Sequence, residues 1–219
     1  MFYGFKRYKA LLQKAGPASQ EDLSIELRIY ADDKIEVWYS LMGAATENPK
    51  IWILEITPGW NQMQIACASA AVALQNGASP HVTTTMKKPE VAFAGSVRNN
   101  LVSMMDELGF PDILNVSTSA NSFGSEQLRT GSVLKYPVFS RRSNYAGHSP
   151  TLLNHPALRK MVDVILADNL KANETCLIIA LGKAVESVLL YSAAKGLIDQ
   201  DRILSGFPHP SGANGHRKR

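Results

Sequence analysis

The sequence contains few cysteines and no long apolar run. Its two cysteines, Cys67 and Cys176, lie far apart and belong to no CxxC or CxxH pair. Zinc and iron–sulfur sites need several such ligands, so we expect no metal site and two reduced, buried thiols. The apolar runs are too short to span a membrane, and the N-terminus lacks the layout of a secretory signal. We therefore expect a cytoplasmic protein that does not associate with membranes.

Acidic residues are outnumbered by basic ones. The chain has 19 Asp and Glu against 23 Lys and Arg, which gives a formal net charge of +4 and a pI of about 9.0. This balance favours a polyanionic partner such as DNA, although proteins that bind no nucleic acid can be equally basic. The 219 residues, of which 45% are hydrophobic, are enough for one core. We expect a monomer with one domain over 1–219, in which residues 1–48 form a helical and extended segment packed on the core.

Short apolar segments alternate with helical patterns along the chain. Strands are predicted over 51–56, 112–116, 175–181 and 202–205, and helices over 2–14, 65–75, 97–108, 158–166 and 183–195. This alternation predicts a three-layer α/β/α fold with a central four-stranded parallel sheet. Residues 117–150 are predicted to be irregular, and a loop of that length is either functional or a solvated insertion.

Polar motifs follow several of the predicted strands. Thr57, Pro58 and Gly59 follow the first strand, Asn115 lies at the end of the second, and His209 follows the last. The carboxyl ends of parallel strands meet at one edge of a sheet, where ligands bind. The sequence therefore predicts one site at this edge.

These motifs resemble those of the uracil-DNA glycosylase superfamily. The resemblance covers most of the chain and rests on five segments in order: EITPGWNQ at 55–62, AFAGSV at 92–97, FPDILNV at 110–116, LGKA at 181–184 and FPHPSGAN at 207–214. It implies a monofunctional DNA glycosylase that needs no cofactor. Such an enzyme flips a uracil-like or modified pyrimidine out of DNA and hydrolyses its N-glycosidic bond, in DNA repair or in defence against foreign DNA.

The resemblance assigns roles to four residues. His209 donates a hydrogen bond to the departing base, Asn115 reads the Watson–Crick edge, Phe93 stacks on the base, and Ile56 contributes to base binding. Each of the first three also has a plainer interpretation. His209 can be a turn residue between two prolines, Asn115 a turn cap, and Phe93 an ordinary core residue.

The position of the attacking water is less well defined by the sequence. Thr57 lies where many relatives have Asp or Asn, and a hydroxyl can orient water but is no general base near neutral pH. Gln62 is expected to share this task, with Glu55 or Asn61 as less favoured candidates. Whether Glu55 is catalytic or structural stays open.

Two further groups of residues are expected to contact the substrate. The glycine-containing loops are predicted to approach the DNA backbone through Pro58, Gly59, Ser211, Gly212, Ala213 and Asn214. The irregular region is predicted to enlarge the pocket for a bulky base through Arg141, Asn144, Tyr145 and His148.

Two other functions remain open. The first is a non-catalytic reader of modified bases, which Thr57 in place of a carboxylate suggests. The second is a hydrolase of free nucleosides or nucleotides, which the basic charge disfavours. The residues do not determine which base is excised or whether the DNA is single- or double-stranded.

Overall fold

A computed structural model of the protein describes residues 5–12, 19–41, 48–78, 93 and 95–211. Within these ranges the strands are β1 (Arg28–Ala31), β2 (Glu36–Trp38), β3 (Ile51–Glu55), β4 (Leu128–Ser132), β5 (Val138–Ser140), β6 (Ser143–Asn144), β7 (Leu177–Ala180) and β8 (Ile203–Leu204). The helices are α1 (Phe5–Leu12), α2 (Trp60–Gln75), α3 (Ser96–Glu107), α4 (Phe110–Leu114), α5 (Pro156–Met161), α6 (Ala167–Lys171) and α7 (Lys183–Ala194), with a π-helical turn at Val162–Leu166 between α5 and α6.

The central sheet has four parallel strands in the order β4-β3-β7-β8. The chain passes from β3 to β4 on one side and later crosses to β7 on the other side of β3. The direction of winding therefore reverses between β3 and β7. In open α/β sheets, ligands bind outside the carboxyl ends of the strands at such a reversal.

Each face of this sheet is covered by helices. Trp52 and Leu54 of β3 pack into one apolar cluster, which includes residues of α2, α5 and α7. Ile51 and Ile53 pack into a second cluster, which includes residues of α3 and α4. The alternation follows from the two-residue period of a strand. The predicted mixed α/β fold with a four-stranded parallel sheet is confirmed, and the packing is compatible with the predicted three-layer arrangement.

The second predicted strand, at 112–116, is wrong. Residues Phe110–Leu114 form the short helix α4, with proline in its first turn, and Asn115 follows it in the left-handed conformation at φ 53°. Proline is well suited to a helix N-terminus because it lacks an amide hydrogen, and Asn tolerates the left-handed region better than most residues. The second strand of the sheet is instead β4.

The prediction of an irregular region at 117–150 is also wrong. This region contains β4, a 3₁₀ turn at Ser119–Ser122, and the hairpin strands β5 and β6. The hairpin joins β1 and β2 in an antiparallel sheet of order β1-β2-β5-β6. These strands have two to five residues each, too few to give a clear period in the sequence.

Among the residues that the structure describes, no helix is both long enough and apolar enough to cross a bilayer.

Candidate active site

Glu55 ends the central strand β3 at the carboxyl edge of the sheet. Because side chains alternate along a strand, its carboxyl group points to the same face as Ile51 and Ile53, the face on which α3 packs. Leu181 and Phe207 belong to the same face. Glu55 is thus a polar group at the rim of an otherwise apolar surface.

The surroundings of Glu55 change its acidity. Desolvation by burial raises the pKa of the Glu55 carboxyl from its ordinary 4.5 to about 7, and a hydrogen bond from Gln62 opposes part of this rise. The Gln62 Nε2 atom donates this bond to Glu55 Oε1 at 2.7 Å. Both the protonated and the ionised form are therefore populated near neutral pH, and such a carboxyl can accept or donate a proton.

Gln62 connects Glu55 to the first turn of α2. Its Oε1 atom accepts a hydrogen bond from the Gly59 amide at 2.6 Å, while Nε2 faces Glu55. The side-chain amide is held at both ends, so the Glu55 carboxyl has a fixed partner. The expected role of Gln62 in placing water stays a prediction.

His209 follows β8 and packs on the turn after β7. A Cβ atom on Gly182 would lie 3.3 Å from the Cβ of His209, and Gly182 has φ +86°, which favours glycine. The Gly182 amide donates to Phe207 O at 3.0 Å. Asn100 of α3 donates through Nδ2 to Pro210 O at 2.8 Å. The His209 loop is therefore fixed to both the β7 turn and α3.

The hydrogen bonds of His209 define its tautomer. The Ser211 amide donates to His209 Nδ1 at 3.2 Å, so Nδ1 is an acceptor and the ring hydrogen is on Nε2. Burial lowers the pKa of His209 below its ordinary 6.5. At neutral pH the ring is a neutral imidazole with an Nε2–H donor. The Ser211 amide, predicted to contact DNA, is used for this bond.

Phe93 lies beneath this part of the rim. It is buried in the same apolar cluster as Leu181 and Phe207, and its φ of 53° is unusual for a bulky residue. Leu101 and Met105 of α3 belong to the same cluster. Phe93 is thus a core residue, as in the plainer interpretation, and its predicted stacking role stays a prediction.

Thr57 does not have the arrangement predicted for a residue that orients water. Its Oγ1 atom donates to Tyr136 O at 2.9 Å and accepts from the Val138 amide at 3.0 Å. The buried hydroxyl joins the loop after β3 to the chain that leads into β5. Because its one hydrogen is already donated to the backbone, the geometry supports a structural role.

The Pro58–Gly59 turn is capped by two side chains of the protein itself. Besides the bond from Gly59 to Gln62, the Trp60 amide donates to Asn144 Oδ1 at 2.9 Å. The Asn144 Nδ2 atom lies 3.1 Å from where a Cβ of Gly59 would be. The Gly59 amide is thus already satisfied, which does not support the phosphate contact predicted for it.

The predicted pocket extension divides into two parts. Asn144 reaches the candidate site. Ile56 lies beside this site, and its Cδ1 atom is 2.9 Å from the position that a Cβ atom on Gly147 would occupy. Tyr145 is buried in the core and donates through its hydroxyl to Pro150 O, so its predicted role in the pocket is wrong. Arg141 and His148 are exposed.

Asn115 lies at the opposite edge of the sheet from the candidate site. Leu114 O accepts a hydrogen bond from Gln127 Nε2 at 3.0 Å, and Ile113 O lies 3.5 Å from Lys50 Nζ. Gln127 and Lys50 immediately precede β4 and β3, so these contacts belong to the amino ends of the strands. The prediction that Asn115 reads a base beside His209 is therefore wrong.

Three predicted DNA contacts, Gly212, Ala213 and Asn214, lie outside the described residues. Sequence reasoning ranked Glu55 behind Thr57 and Gln62, whereas in the structure Glu55 is the carboxyl with the raised pKa. The signal was present, since Glu55 is a carboxylate that ends an otherwise apolar strand.

Other features of the described structure lie apart from this site. A pocket of about 230 Å³ is lined by residues of the antiparallel sheet and the segment before it, including Trp38 and Phe139, and by none of the predicted site residues. Within the described ranges, no group of three or more His, Cys, Asp or Glu side chains is placed to hold a metal ion.

The fold and site define an α/β protein with a titratable carboxyl and a neutral imidazole at the carboxyl edge of its parallel sheet. The chain is 34% identical over 199 residues to the uncharacterized protein YoxB of Bacillus subtilis (strain 168), a match that covers 89% of this chain and 78% of YoxB. The chain therefore belongs to the same family as YoxB. No protein-family model matches the chain, and no solved structure matches it significantly.

Proposed function

We propose that this protein is a DNA glycosylase that hydrolyses the N-glycosidic bond of a flipped nucleobase, with His209 and Glu55 as its catalytic residues. The observation that carries this proposal is the presence of a neutral Nε2–H imidazole and a carboxyl of pKa about 7 at the winding reversal of the sheet. The family resemblance of the sequence motifs supports the same function.

His209 stabilises the departing base. Cleavage of the bond between C1′ and the base nitrogen leaves the bonding electrons on the base, and for a pyrimidine the negative charge collects chiefly on O2. A fixed Nε2–H donor beside that oxygen lowers the barrier, and loss of one such donor costs on the order of 3 kcal/mol. The hydrogen bond from Ser211 keeps the ring in the required tautomer.

Glu55 activates the water. In its ionised form the carboxylate accepts a proton from a water molecule as the oxygen bonds to C1′ and the bond to the base breaks. The products are an abasic deoxyribose and the base, which takes up a proton. Gln62 holds the carboxyl in place throughout, because its own amide is fixed by Gly59.

We further propose that Phe93 and Ile56 contribute apolar surface to the base site. Phe93 packs in the cluster of Leu181 and Phe207, and Ile56 follows Glu55 and lies against Gly147. The net charge of +4 favours association with a polyanion, so we expect binding to weaken as salt is added.

The proposal is tested with fluorescent oligonucleotides, single- and double-stranded, that carry uracil or a modified pyrimidine at one position. We expect strand cleavage at that position after alkali treatment, which reports abasic sites. E55Q and H209A should each reduce the rate by at least a hundredfold without a matching loss of DNA binding. The exposed Glu107 offers a matched control, since E107Q should act as wild type.

Two results would count against the proposal. DNA binding with no base released from any substrate would instead identify a reader of modified bases. Release by the H209A and E55Q variants at the wild-type rate would place the chemistry elsewhere.

A further inference from the structure

The antiparallel sheet has a pocket with buried apolar walls and a charged rim. Its volume is about 230 Å³, and its buried lining residues are Leu23, Trp38 and Phe139. Drug-sized ligands occupy cavities of roughly 300 to 1,000 Å³. This pocket therefore suits a smaller molecule of one or two rings.

The rim of the pocket carries two ion pairs. Arg28 Nη1 lies 2.8 Å from Glu36 Oε1, and Arg142 Nη1 lies 3.2 Å from Glu21 Oε1. The other residues that line the pocket are uncharged, so the two pairs leave it with no net charge. A phosphate or carboxylate would face a glutamate beside each arginine. The pocket therefore favours a neutral ligand, and the guanidinium and carboxylate atoms not used in the two pairs offer it both donors and acceptors.

Arg28 is held beside Trp38 in the wall of the pocket. Its Cζ atom lies 6.0 Å from the centroid of the Trp38 ring, and Glu36 fixes the same guanidinium. A guanidinium plane is a surface on which flat rings stack. The Trp38 Nε1 atom is buried and has no hydrogen-bond partner in the part of the chain that the structure describes. An unsatisfied buried donor is unfavourable, and an acceptor on a ligand would satisfy it.

The pocket is connected to the candidate active site through the start of α2. The Phe139 ring, which lines the pocket, lies 6.3 Å from the Trp60 ring, centroid to centroid. Phe139 is paired with Asn144 across β5 and β6, so their side chains share a face of the antiparallel sheet. The Trp60 amide donates to Asn144 Oδ1. In the same helical turn, Gln62 donates to Glu55. The pocket and the candidate active site thus adjoin the same end of α2.

We propose that the pocket binds a second, unpaired nucleobase of the DNA strand whose flipped base lies at Glu55, an inference that rests on the proposed function. A nucleobase is flat and neutral, and its edges carry both acceptors and donors. An acceptor takes the hydrogen of Trp38 Nε1, while the ring stacks on Arg28. A base within a duplex is stacked and paired, so it cannot enter the pocket. The protein should therefore prefer single-stranded DNA.

The test compares the single- and double-stranded forms of one fluorescent oligonucleotide of normal bases by anisotropy, at one salt concentration. The wild-type protein should bind the single strand about fivefold or more tightly than the duplex. R28K keeps the charge but loses the planar group, and it should weaken single-strand binding about five- to a hundredfold, the effect of one stacked base. W38F loses only the Nε1 donor and should weaken single-strand binding about two- to tenfold. Binding of the duplex should not change. R159K, at an exposed position, is the matched control and should bind both forms as wild type.

Competition by free nucleosides identifies the source of the base. Thymidine and deoxyadenosine should each reduce single-strand binding by the wild type to the level of R28K, because they occupy the pocket in place of the strand. A nucleoside that binds the wild type but not R28K, while both proteins bind the single strand equally, shows that a free base occupies the pocket. That result overturns the assignment to the DNA strand.

Melting temperatures establish that the variants are folded, and R28K, at an exposed position, carries the test if W38F does not fold. Equal affinities of the wild type and folded R28K for the single strand overturn the inference, and base release by the wild type would then leave the proposed function intact. Single-strand binding that depends on Arg28, without release of any base, contradicts the proposed function and leaves the nucleobase pocket in place.

Discussion

Replacing Glu55 by glutamine should make the protein more stable at alkaline pH. Glutamine has the same shape, and its Oε1 atom can still accept the hydrogen bond from Gln62. The variant removes only the ability to ionise. The carboxyl of Glu55 is at the end of a core strand, so its charged form is poorly solvated, and this is the cause of its raised pKa.

The magnitude follows from the pKa of Glu55. A group whose pKa is higher in the folded state than in the unfolded state stabilises the fold below its unfolded pKa, and this contribution is lost as pH rises through the folded pKa. For Glu55 the loss extends from pH 4.5 to somewhat above pH 7. It amounts to up to about 3 kcal/mol in the free energy of unfolding. The E55Q protein does not undergo this loss.

Urea unfolding at pH 5, 6, 7 and 8 measures the effect. The free energy of unfolding of E55Q minus that of the wild type should increase across this range by up to about 3 kcal/mol. Taking this difference cancels the titration of other carboxyl groups. E107Q, at an exposed position, is the control, and its free energy of unfolding minus that of the wild type should not change with pH. A flat difference for E55Q as well would refute the argument that Glu55 is buried and titrates near neutral pH.

Three further predictions concern other parts of the fold. T57V removes two buried hydrogen bonds and should lower the free energy of unfolding by about 2 to 3 kcal/mol in urea titrations. An unchanged free energy of unfolding would show that the Thr57 hydroxyl does not join the loop after β3 to Tyr136. R129M should leave the melting temperature unchanged or raise it. The buried guanidinium of Arg129 stacks on Trp52, and its Nη1 atom makes no hydrogen bond, so the charge is costly to bury. A clear fall in the melting temperature would mean that the charge of Arg129 is compensated. N115A should leave base release and its selectivity unchanged, since Asn115 is at the far edge of the sheet, and a large loss of activity would contradict that placement.

The sequence predicts the parts of the fold that have a strong local signal. The strands β3 and β7 are nearly all apolar because both of their faces are buried, and this pattern is visible without tertiary information. The segment that forms β4 reads Leu-Arg-Thr-Gly-Ser and has no such pattern. It is an edge strand, and its pairing with β3 is a tertiary effect.

The wrong assignment of α4 had a direct consequence for the site. Residues 112–116 are short and apolar, which fits a strand or a buried helix equally well. Taking them as a strand placed Asn115 at the carboxyl edge of the sheet, whereas the helix places it at the amino edge. A single error in secondary structure thus placed Asn115 at the wrong edge of the sheet in the predicted site.

The residues of the site differ in how far local sequence defines them. His209 is in the loop after β8 and Gln62 is in the first turn of α2, so their approximate place could be inferred from the predicted elements. The role of Thr57 could not, because its partners at Tyr136 and Val138 are about 80 residues away in the chain. The acidity of Glu55 likewise depends on burial by segments that are distant in sequence.

The most direct test of the account is the pH dependence of base release by the wild-type protein under single-turnover conditions. With Glu55 as the base, the rate should rise with pH and level off above about pH 7, the pKa of its carboxyl. E55Q should be slow at every pH, without this rise. A wild-type rate that does not change between pH 5 and pH 8, or an E55Q protein with the same profile as the wild type, would contradict the central claim.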